Sequence, residues 1–216
     1  MTALVLGATG MTGKELVKQL LNDDNFSQVV LFVRRTSGES HPKLTEHIVN
    51  FDMAHQWQHL VKGDVLFSCM GTTLRKAGSK AAQFKIDYHY QYKTAKAAAA
   101  NGVKKYVLIS AAGASTKSSF FYSRMKGELD EAVQKLKFKS VTILRPGQLY
   151  GNREENRKAE LFAVKIMFAL NRLGILKKYR PLHANSLAKA MINASKKEGN
   201  MVYTMHQVHE LAYEKS

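Results

Sequence analysis

Short apolar runs alternate with longer amphipathic segments along most of this chain. The apolar runs predict buried β-strands at residues 3–6, 28–33, 46–51, 64–69, 104–110 and 141–144. The amphipathic segments predict helices at residues 14–21, 80–101, 118–136, 159–170 and 185–195. Because strands and helices alternate, we expect a doubly wound α/β fold, in which a mostly parallel sheet carries helices on both faces.

The length of the chain limits its domain organisation. With 216 residues it is long enough for one well-buried α/β domain and short for two. No internal repeat, low-complexity stretch or linker divides the sequence. We therefore expect a single domain over residues 1–216, with a small C-terminal extension after about residue 147.

A glycine-rich turn, Gly7-Ala8-Thr9-Gly10-Met11-Thr12-Gly13, joins the first predicted strand to the first predicted helix. Gly7 permits a tight turn, Gly10 lets the backbone approach a phosphate, and Gly13 lets the helix pack closely on the strand. The N–H groups and partial positive charge of a helix N-terminus bind anions. This strand, turn and helix therefore predict a Rossmann fold that binds the pyrophosphate of a dinucleotide.

Charged residues follow the second and third predicted strands, where a dinucleotide fold contacts the adenosine. Arg34 and Arg35 end the second strand, and a guanidinium at this place pairs with a 2′-phosphate. We therefore predict NADP(H) over NAD(H), the alternative being two solvated arginines at a loop entrance. Asp52 can accept a hydrogen bond from the adenine amino group, or it can cap the helix that follows.

A serine at the end of the fifth predicted strand and a tyrosine-lysine pair on the next predicted helix are residue types suited to proton transfer. Tyr122 and Lys126 are four residues apart on a predicted helix and therefore share one face. The lysine can stabilise a tyrosine phenolate and bind the nicotinamide ribose. Ser110, at the end of the fifth strand, can hydrogen-bond a substrate carbonyl. The alternative for the Tyr-Lys pair by itself is an ordinary pair on a helix surface.

These motifs resemble the short-chain dehydrogenase/reductase family, and within it the atypical Tat-interactive oxidoreductase branch. The resemblance covers most of the chain and weakens after about Gly151. The segments that carry it are Gly7 to Gly13, Arg34-Arg35, Gly71 to Gly78, Lys117 to Ser119, Tyr122 to Glu128 and Leu144 to Gly147. It implies an NAD(P)-binding Rossmann fold and a Ser-Tyr-Lys catalytic set.

The resemblance also implies contacts with the cofactor. The residues implied to surround the pyrophosphate are Gly7, Thr9, Gly10, Met11 and Thr12. The resemblance places Arg34 and Arg35 at the 2′-phosphate, Asp52 at the adenine, Gly71 and Thr72 along the cofactor, and Pro146 at the nicotinamide. Asp87 stands where many extended members of the family have asparagine, which is a departure at a position linked to proton relay. The short part after Gly147 would form only a small substrate-side extension and disfavours a nucleotide-sugar substrate.

The residues together predict an oxidoreductase that transfers a hydride between NADP(H) and a small carbonyl or alcohol substrate. In this interpretation Tyr122 donates the proton, Ser110 polarises the carbonyl, and Lys126 binds the ribose and stabilises the phenolate. The alternative is a regulatory protein that binds NADP(H) as a redox signal, with little or no turnover, and uses its surface for a protein partner. The sequence leaves open whether the protein is a monomer or a homodimer.

The composition bears on other classes of partner. The formal net charge is +16, but the 33 Lys and Arg residues are scattered and form no basic tail. We therefore expect a basic surface that attracts phosphorylated cofactors rather than nucleic acid. No segment is apolar enough for a membrane span, and no secretory leader precedes the first strand. On these grounds we expect a cytoplasmic protein.

Metal and thiol chemistry find little support in the sequence. His55 and His59 could share a helix face, but no third ligand has a diagnostic spacing, so we predict no metal site. Cys69 is the single cysteine and cannot form an internal disulfide. Its apolar flank predicts a buried strand residue rather than a reactive thiol.

Overall fold

A seven-stranded parallel sheet forms the centre of the protein in this computed structural model, which describes residues 1–151 and 181–214. The strands are β1 Thr2–Leu6, β2 Gln28–Val33, β3 Leu44–Ile48, β4 Val65–Ser68, β5 Lys105–Ile109, β6 Ser140–Leu144 and β9 Met201–Tyr203. Their order is β3-β2-β1-β4-β5-β6-β9, and every neighbouring pair is parallel. This order is that of a dinucleotide-binding sheet and confirms the predicted doubly wound fold. A separate parallel pair joins β7 Leu149–Tyr150 to β8 Leu182–His183.

Helices connect the strands. They are α1 Met11–Leu21, α2 Ala54–Trp57, α3 Leu74–Ala77, α4 Lys80–Phe84, α5 Gln91–Ala100, α6 Phe121–Gln134, α7 Ala184–Ser195 and α8 Met205–Tyr213. A 3₁₀ turn, Gln58–Leu60, follows α2, and a π-helical segment, Lys85–Tyr90, joins α4 to α5. The predicted long helix over residues 80–101 is therefore continuous but wider in its middle.

Both faces of the sheet are buried, as the apolar runs predict. On β1, Ala3 and Val5 face a cluster with residues of α1, α7 and α8, whereas Leu4 and Leu6 face a cluster with residues of α5 and α6. This alternation requires apolar residues at successive positions of a central strand. The two helix layers hold the sheet in a fixed position, and the connections after its strands form the candidate site.

The differences between prediction and structure lie mainly in short or peripheral elements. The third strand is Leu44–Ile48 rather than 46–51, because β3 is an edge strand paired only with β2, and Phe51 packs beyond it against Trp57. The pattern missed β9, which lies at the other edge, and α8, which follows it directly. The predicted helix over residues 159–170 lies outside the described residues.

Candidate functional site

The glycine turn lies between β1 and α1 and is packed too tightly for side chains at two positions. Gly7 has a φ of +84°, and a Cβ there would lie 2.5 Å from Met70 N. A Cβ on Gly13 would lie 2.1 Å from Gly7 O. Gly10 is the N-cap of α1, its N–H donates to Gly7 O over 3.0 Å, and a Cβ there would meet no atom closer than 3.3 Å. No side chain of the described residues caps α1 at its N-cap, so its first N–H groups face a cradle suited to an anion.

The loop after β2 exposes the two arginines to solvent and is held by the Glu46 carboxylate of β3. Arg34 and Arg35 are both exposed. Thr36 Oγ1 donates to Glu46 Oε2 over 2.8 Å, and Ser37 N–H donates to Glu46 Oε1 over 3.1 Å. Partial burial raises the pKa of Glu46, but the hydrogen bonds from Ser37 and Thr36 outweigh it and hold the pKa below its usual value. Glu46 therefore fixes the backbone just past the arginine pair.

Asp52 lies after β3 and is tied to the π-helical segment. Its Oδ1 accepts a hydrogen bond from Tyr90 Oη over 2.9 Å and lies 2.7 Å from Lys85 Nζ. The hydrogen bond from Lys85, and then that from Tyr90, lowers the pKa of Asp52. The helix α2 starts at Ala54, its N-cap is Met53, and Asp52 does not cap it. The alternative role of Asp52 as a helix cap is therefore wrong, while its contact with adenine stays a prediction.

A buried carboxylate organises the loop after β4. Asp87 is 1% exposed, and its Oδ1 accepts a hydrogen bond from Thr72 N–H over 2.7 Å. Gln83 Nε2 donates to Thr72 O over 3.2 Å, so both backbone groups of Thr72 are held by one helical stretch. Burial raises the pKa of Asp87, although Lys126, Thr72 and Gln83 oppose the rise. Asp87 Oδ2 is buried and accepts no hydrogen bond from any described residue.

The π-helical segment is itself held by a side chain. Gln91 Nε2 donates to the Asp87 carbonyl oxygen over 2.6 Å, and Gln91 Oε1 accepts from Ser68 Oγ over 2.7 Å. Both Gln91 and Ser68 are buried. The widened turn that carries Asp87 is therefore anchored to the carboxyl end of β4.

Tyr122 and Lys126 lie one turn apart on α6 but differ in exposure. Tyr122 is 43% exposed at the start of the helix, whereas Lys126 is 3% exposed. The charge of Lys126 acts on both Asp87 and Asp130 and lowers the pKa of each against the effect of burial. The structure thus buries the Lys126 ammonium near two buried carboxylates, one helical turn along α6 from the accessible Tyr122.

Ser110 belongs to the same buried cluster. Asp130 Oδ2 accepts a hydrogen bond from Arg145 Nε over 2.9 Å and forms an ion pair with Arg145 Nη2, also at 2.9 Å. Burial raises the pKa of Asp130, while Ser110, which lies beside it, and Arg145 oppose the rise. Ser110 Oγ and Asp130 Oδ1 are both buried, and neither makes a well-formed hydrogen bond with a described residue. The described part of the chain shows no side-chain hydrogen bond between Ser110 and Tyr122.

The loop after β5 is packed directly on α6. A Cβ on Gly127 would lie 2.4 Å from Ser115 C, and Ser115 N–H donates to the Ser123 carbonyl over 3.0 Å. Ala112 N–H donates to Pro146 O over 3.0 Å. The end of β5, the turn after β6 and the start of α6 therefore form one connected unit beside the catalytic candidates.

Sequence reasoning missed part of this cluster. Asp130 and Arg145 were not predicted as site residues, and Asp87 was noted only as a departure from the family pattern. One signal was available, because Tyr122, Lys126 and Asp130 follow each other at intervals of four and so lie along one side of α6. Nothing in the sequence pattern alone shows that an aspartate at such a position is buried.

The described part of the chain shows no arrangement of residues for a metal site or a membrane span. Residues 1–151 and 181–214 contain no group of three or more His, Cys, Asp or Glu that could hold a metal ion. Across the same residues, no helix is both long and apolar enough to cross a membrane. Burial raises the pKa of the Cys69 thiol, whose Sγ lies 3.6 Å from Met191 Sδ.

Residues 7–169 match the model of a family described as NAD(P)H-binding. Protein HTATIP2 of Rattus norvegicus is 38% identical over 173 residues, which cover 78% of this chain and 71% of that protein. The mitochondrial protein fmp52 of Emericella nidulans is 37% identical and covers 91% of this chain and 88% of its own length.

Two solved structures show the same fold at low identity. The UDP-glucose 4-epimerase of Thermotoga maritima superposes with a TM-score of 0.71 at 15% identity, over 100% of this chain and 84% of the epimerase. MoeE5 in complex with UDP-glucuronic acid and NAD superposes with a TM-score of 0.72 at 16% identity, over 95% of this chain and 76% of MoeE5. At this identity the likeness concerns the fold alone.

The relatives correct one expectation from the sequence. The expected cytoplasmic location is wrong, because relatives in Emericella nidulans, Candida albicans and Scheffersomyces stipitis are named as mitochondrial proteins. The expectation relied on the lack of a secretory leader. Such a leader is a different signal from a mitochondrial address, so its absence could not support a cytoplasmic location.

Proposed function

Because the chain belongs to the NAD(P)H-binding family and is an atypical short-chain dehydrogenase/reductase similar to HTATIP2, we propose that it is an NADP(H)-dependent oxidoreductase. The reaction is hydride transfer between the nicotinamide and a small carbonyl or alcohol substrate. The observation that carries this proposal is the buried Lys126, which lies one helical turn after the accessible Tyr122 on α6. A lysine is almost never fully buried without a charged partner or a specific task.

The chain's residues fit a dinucleotide. Gly7 and Gly13 are packed too closely on neighbouring backbone to carry side chains, which holds the turn close to the first N–H groups of α1, where a phosphate would lie. We propose that Thr9, Gly10, Met11 and Thr12 line the rest of this pyrophosphate site. The remaining proposed cofactor residues are Arg34, Arg35, Asp52, Gly71, Thr72, Lys126 and Pro146.

The preference for NADP(H) is supported by the arginine pair. Arg34 and Arg35 are exposed at the carboxyl end of β2, and Glu46 fixes the loop behind them through Thr36 and Ser37. A guanidinium held near a ribose 2′-phosphate adds charge-assisted hydrogen bonds that an unphosphorylated ribose cannot make.

Side chains of this protein supply the proton of the proposed reaction. When bound, the nicotinamide supplies or accepts the hydride. Tyr122 gives its phenolic proton to the developing alkoxide, and the positive charge of Lys126 stabilises the phenolate that remains. Ser110 is proposed to polarise the carbonyl, since its buried hydroxyl is not occupied by a well-formed hydrogen bond to any described residue.

Replacing Tyr122 tests this assignment. Tyr122→Phe should reduce NADPH oxidation with an aldehyde panel at least about a hundredfold, the lower range for loss of a general acid. NADPH affinity, measured by calorimetry, should change little because the phenol is not a proposed cofactor ligand. The matched control is Tyr213→Phe, at an exposed tyrosine of α8. Retained turnover in Tyr122→Phe would exclude this tyrosine as the proton donor.

A second candidate function is a regulatory protein that binds NADP(H) and turns over little substrate. The observation that favours it is the pair of buried carboxylates, Asp87 and Asp130, beside Lys126. Their negative charge opposes the field that a phenolate needs. Tight NADPH binding without oxidation by a broad carbonyl panel would support this function over the first.

We further propose that residues 1–216 form one domain in which residues after about 147 are a small extension on the substrate side. This proposal is supported by α7 and α8, whose buried residues join those of α1 in one core cluster. Limited proteolysis tests it, because a single domain should lose α1 and α7 protection together.

A further inference from the structure

The approach to Tyr122 is built from two segments that leave neighbouring strands. One follows β4 and includes α3 and the start of α4, and the other follows β5 and leads into α6. Lys80 Nζ lies 5.7 Å from the centroid of the Phe121 ring, which brings the start of α4 to the start of α6. Because ligands of a parallel α/β sheet bind beyond the carboxyl ends of its strands, these two segments border the substrate side of the proposed site.

Large apolar side chains at this place are left in solvent. Phe120, the residue before α6, is 76% exposed, and Leu74, the first residue of α3, is 46% exposed. Phe120 lies two residues before the half-exposed Tyr122, and Leu74 lies on the segment that follows β4. Exposed apolar side chains that gather near a catalytic candidate are typical of a ligand-binding surface.

The exposed charged side chains that belong to the two segments are basic. One carboxylate of α6 reaches the second segment, where Glu131 Oε1 accepts a hydrogen bond from Thr116 Oγ1 over 2.8 Å. Arg75, Lys80 and Lys117 are exposed on the two segments. Residues 71–86 and 111–127 contain no Asp or Glu, and Asp87, which follows the first of these ranges, is buried. A mainly basic surface around a low-dielectric site raises the local concentration of anionic ligands.

We propose that this surface, the apolar-basic entrance formed by Leu74, Phe120, Arg75, Lys80 and Lys117, selects an apolar carbonyl compound that carries an anionic group. The inference rests on the proposed function, whose reaction is unchanged: the carbonyl carbon receives the hydride and the oxygen receives the proton of Tyr122. The apolar part of the substrate packs on Phe120 and Leu74. The anionic group, a carboxylate or a phosphate, is attracted by Lys80 and Lys117.

The test compares two probes that share the same benzaldehyde and differ in one charge and one methyl group. These are 4-carboxybenzaldehyde and its methyl ester, titrated by calorimetry into Tyr122→Phe protein saturated with NADPH, so that no reaction follows binding. We expect the acid to bind at least about fivefold more tightly than the ester at low salt, as one partly screened charge pair would give. At high salt the two affinities should converge because the attraction is screened.

Charge-reversal variants localise the effect. Lys80→Glu and Lys117→Glu should each remove most of the preference for the acid, whereas Lys104→Glu, at the opposite end of β5, should keep it while making the same change in net charge. Phe120→Ala should weaken the acid and the ester alike, because it removes only apolar contact.

The outcomes separate the two proposals. Equal affinity for the two probes, tighter binding of the ester, or an equal loss of preference in Lys104→Glu would overturn the apolar-basic entrance. Preferred binding of the acid supports it whether or not the wild-type protein reduces either aldehyde. Failure of the wild-type protein to oxidise NADPH with any carbonyl compound counts against the proposed reductase activity instead.

Discussion

At the adenosine end of the proposed cofactor site the charged side chains lie in solvent, whereas the charged side chains that neighbour Lys126 at the catalytic end lie largely inside the protein. Arg34 and Arg35 are exposed after β2, and Asp52 keeps its charge through an exposed pair with Lys85. Asp87 and Lys126, by contrast, are 1% and 3% exposed. The first region can recognise an anion by attraction alone, while the second holds charges at a cost in desolvation.

This difference separates recognition from chemistry. Solvent reduces the effect of each charge at the adenosine end, so losing one side chain there should change affinity and leave the fold intact. Charges inside the protein act strongly on one another and on a nearby phenol, so changes at the catalytic end should alter stability and its dependence on pH. The predictions below test this division.

The largest effect is expected at the packing of the catalytic end. Gly127→Ala should lower the free energy of unfolding by about 1–3 kcal/mol or more, because the added Cβ would lie 2.4 Å from Ser115 C in the loop after β5. Chemical denaturation measures this change. Gly10→Ala, in the glycine turn, would bring a Cβ no closer than 3.3 Å to Gly7 O and should cost less stability than Gly127→Ala. If Gly127→Ala is more stable than wild type, as helix propensity alone would favour, that loop does not lie on α6 as described.

The next largest effect concerns cofactor choice at the adenosine end. Arg34→Ala should weaken NADPH binding at least about tenfold, since a hydrogen bond to a charged group contributes roughly 1.5–3 kcal/mol. The affinity for NADH should stay nearly unchanged, because its adenosine ribose carries no 2′-phosphate. Calorimetric titration of both nucleotides measures the difference between the two affinity changes, with Lys104→Ala as the control variant. Arg35→Ala is expected to behave in the same way, and an equal loss for the two nucleotides would remove the assignment to NADP(H).

A smaller effect, but one with a defined pH dependence, is expected for Asp87. Burial raises the pKa of Asp87 in the folded protein, so the folded state holds this proton more tightly than the unfolded chain does. The resulting stability is fully present below the unfolded pKa and is lost as the pH rises through the folded pKa. The Asp87→Asn variant has no ionisable group at this position, so it does not lose stability as the pH rises. The variant should therefore be more stable than wild type at neutral pH, and the difference should shrink towards about pH 4.

Chemical denaturation at several pH values measures the free energy of unfolding of Asp87→Asn and of the wild type. Asp24→Asn, at an exposed position, is the control and should show no such trend. A pH-independent difference between Asp87→Asn and wild type would mean that the Asp87 carboxylate is fully compensated by Lys126, and the contrast between the two ends would be weaker than described.

The smallest effect is expected for the exposed pair at the adenosine end. Asp52→Asn leaves the hydrogen bond from Tyr90 possible and removes only a solvated charge beside Lys85. The change in the free energy of unfolding should be smaller than for either glycine or Asp87 variant at the catalytic end, and added salt should make it smaller still. A large, salt-independent loss would show that this pair is not a surface interaction.

Local patterns account for most of what the sequence predicted. The parallel strands, the glycine turn and the shared face of Tyr122 and Lys126 depend on periodicity within a few residues of one another. They were predicted without knowledge of the remainder of the chain. The central strands are buried on both faces, so their apolar runs are unambiguous.

The rest depends on contacts between distant segments. Asp130 becomes an ion-pair partner only because α6 packs beside β6, where Arg145 ends the strand. Asp52 is occupied by Lys85 and Tyr90, which are distant in sequence and reach it through the π-helical segment. Edge strands such as β3 and β9 are short and partly exposed, so their hydrophobic pattern is weak.

The π-helical segment over Lys85–Tyr90 makes this part of the chain sensitive to insertions and deletions. Deleting one residue within it would allow regular α-helical hydrogen bonds, but it would rotate the preceding turn by about 100° relative to α5. Gln83 would then point away from Thr72, and the Gln91 amide would lose the carbonyl oxygen to which it donates. The length of this segment, and not only its composition, is therefore part of what specifies the site.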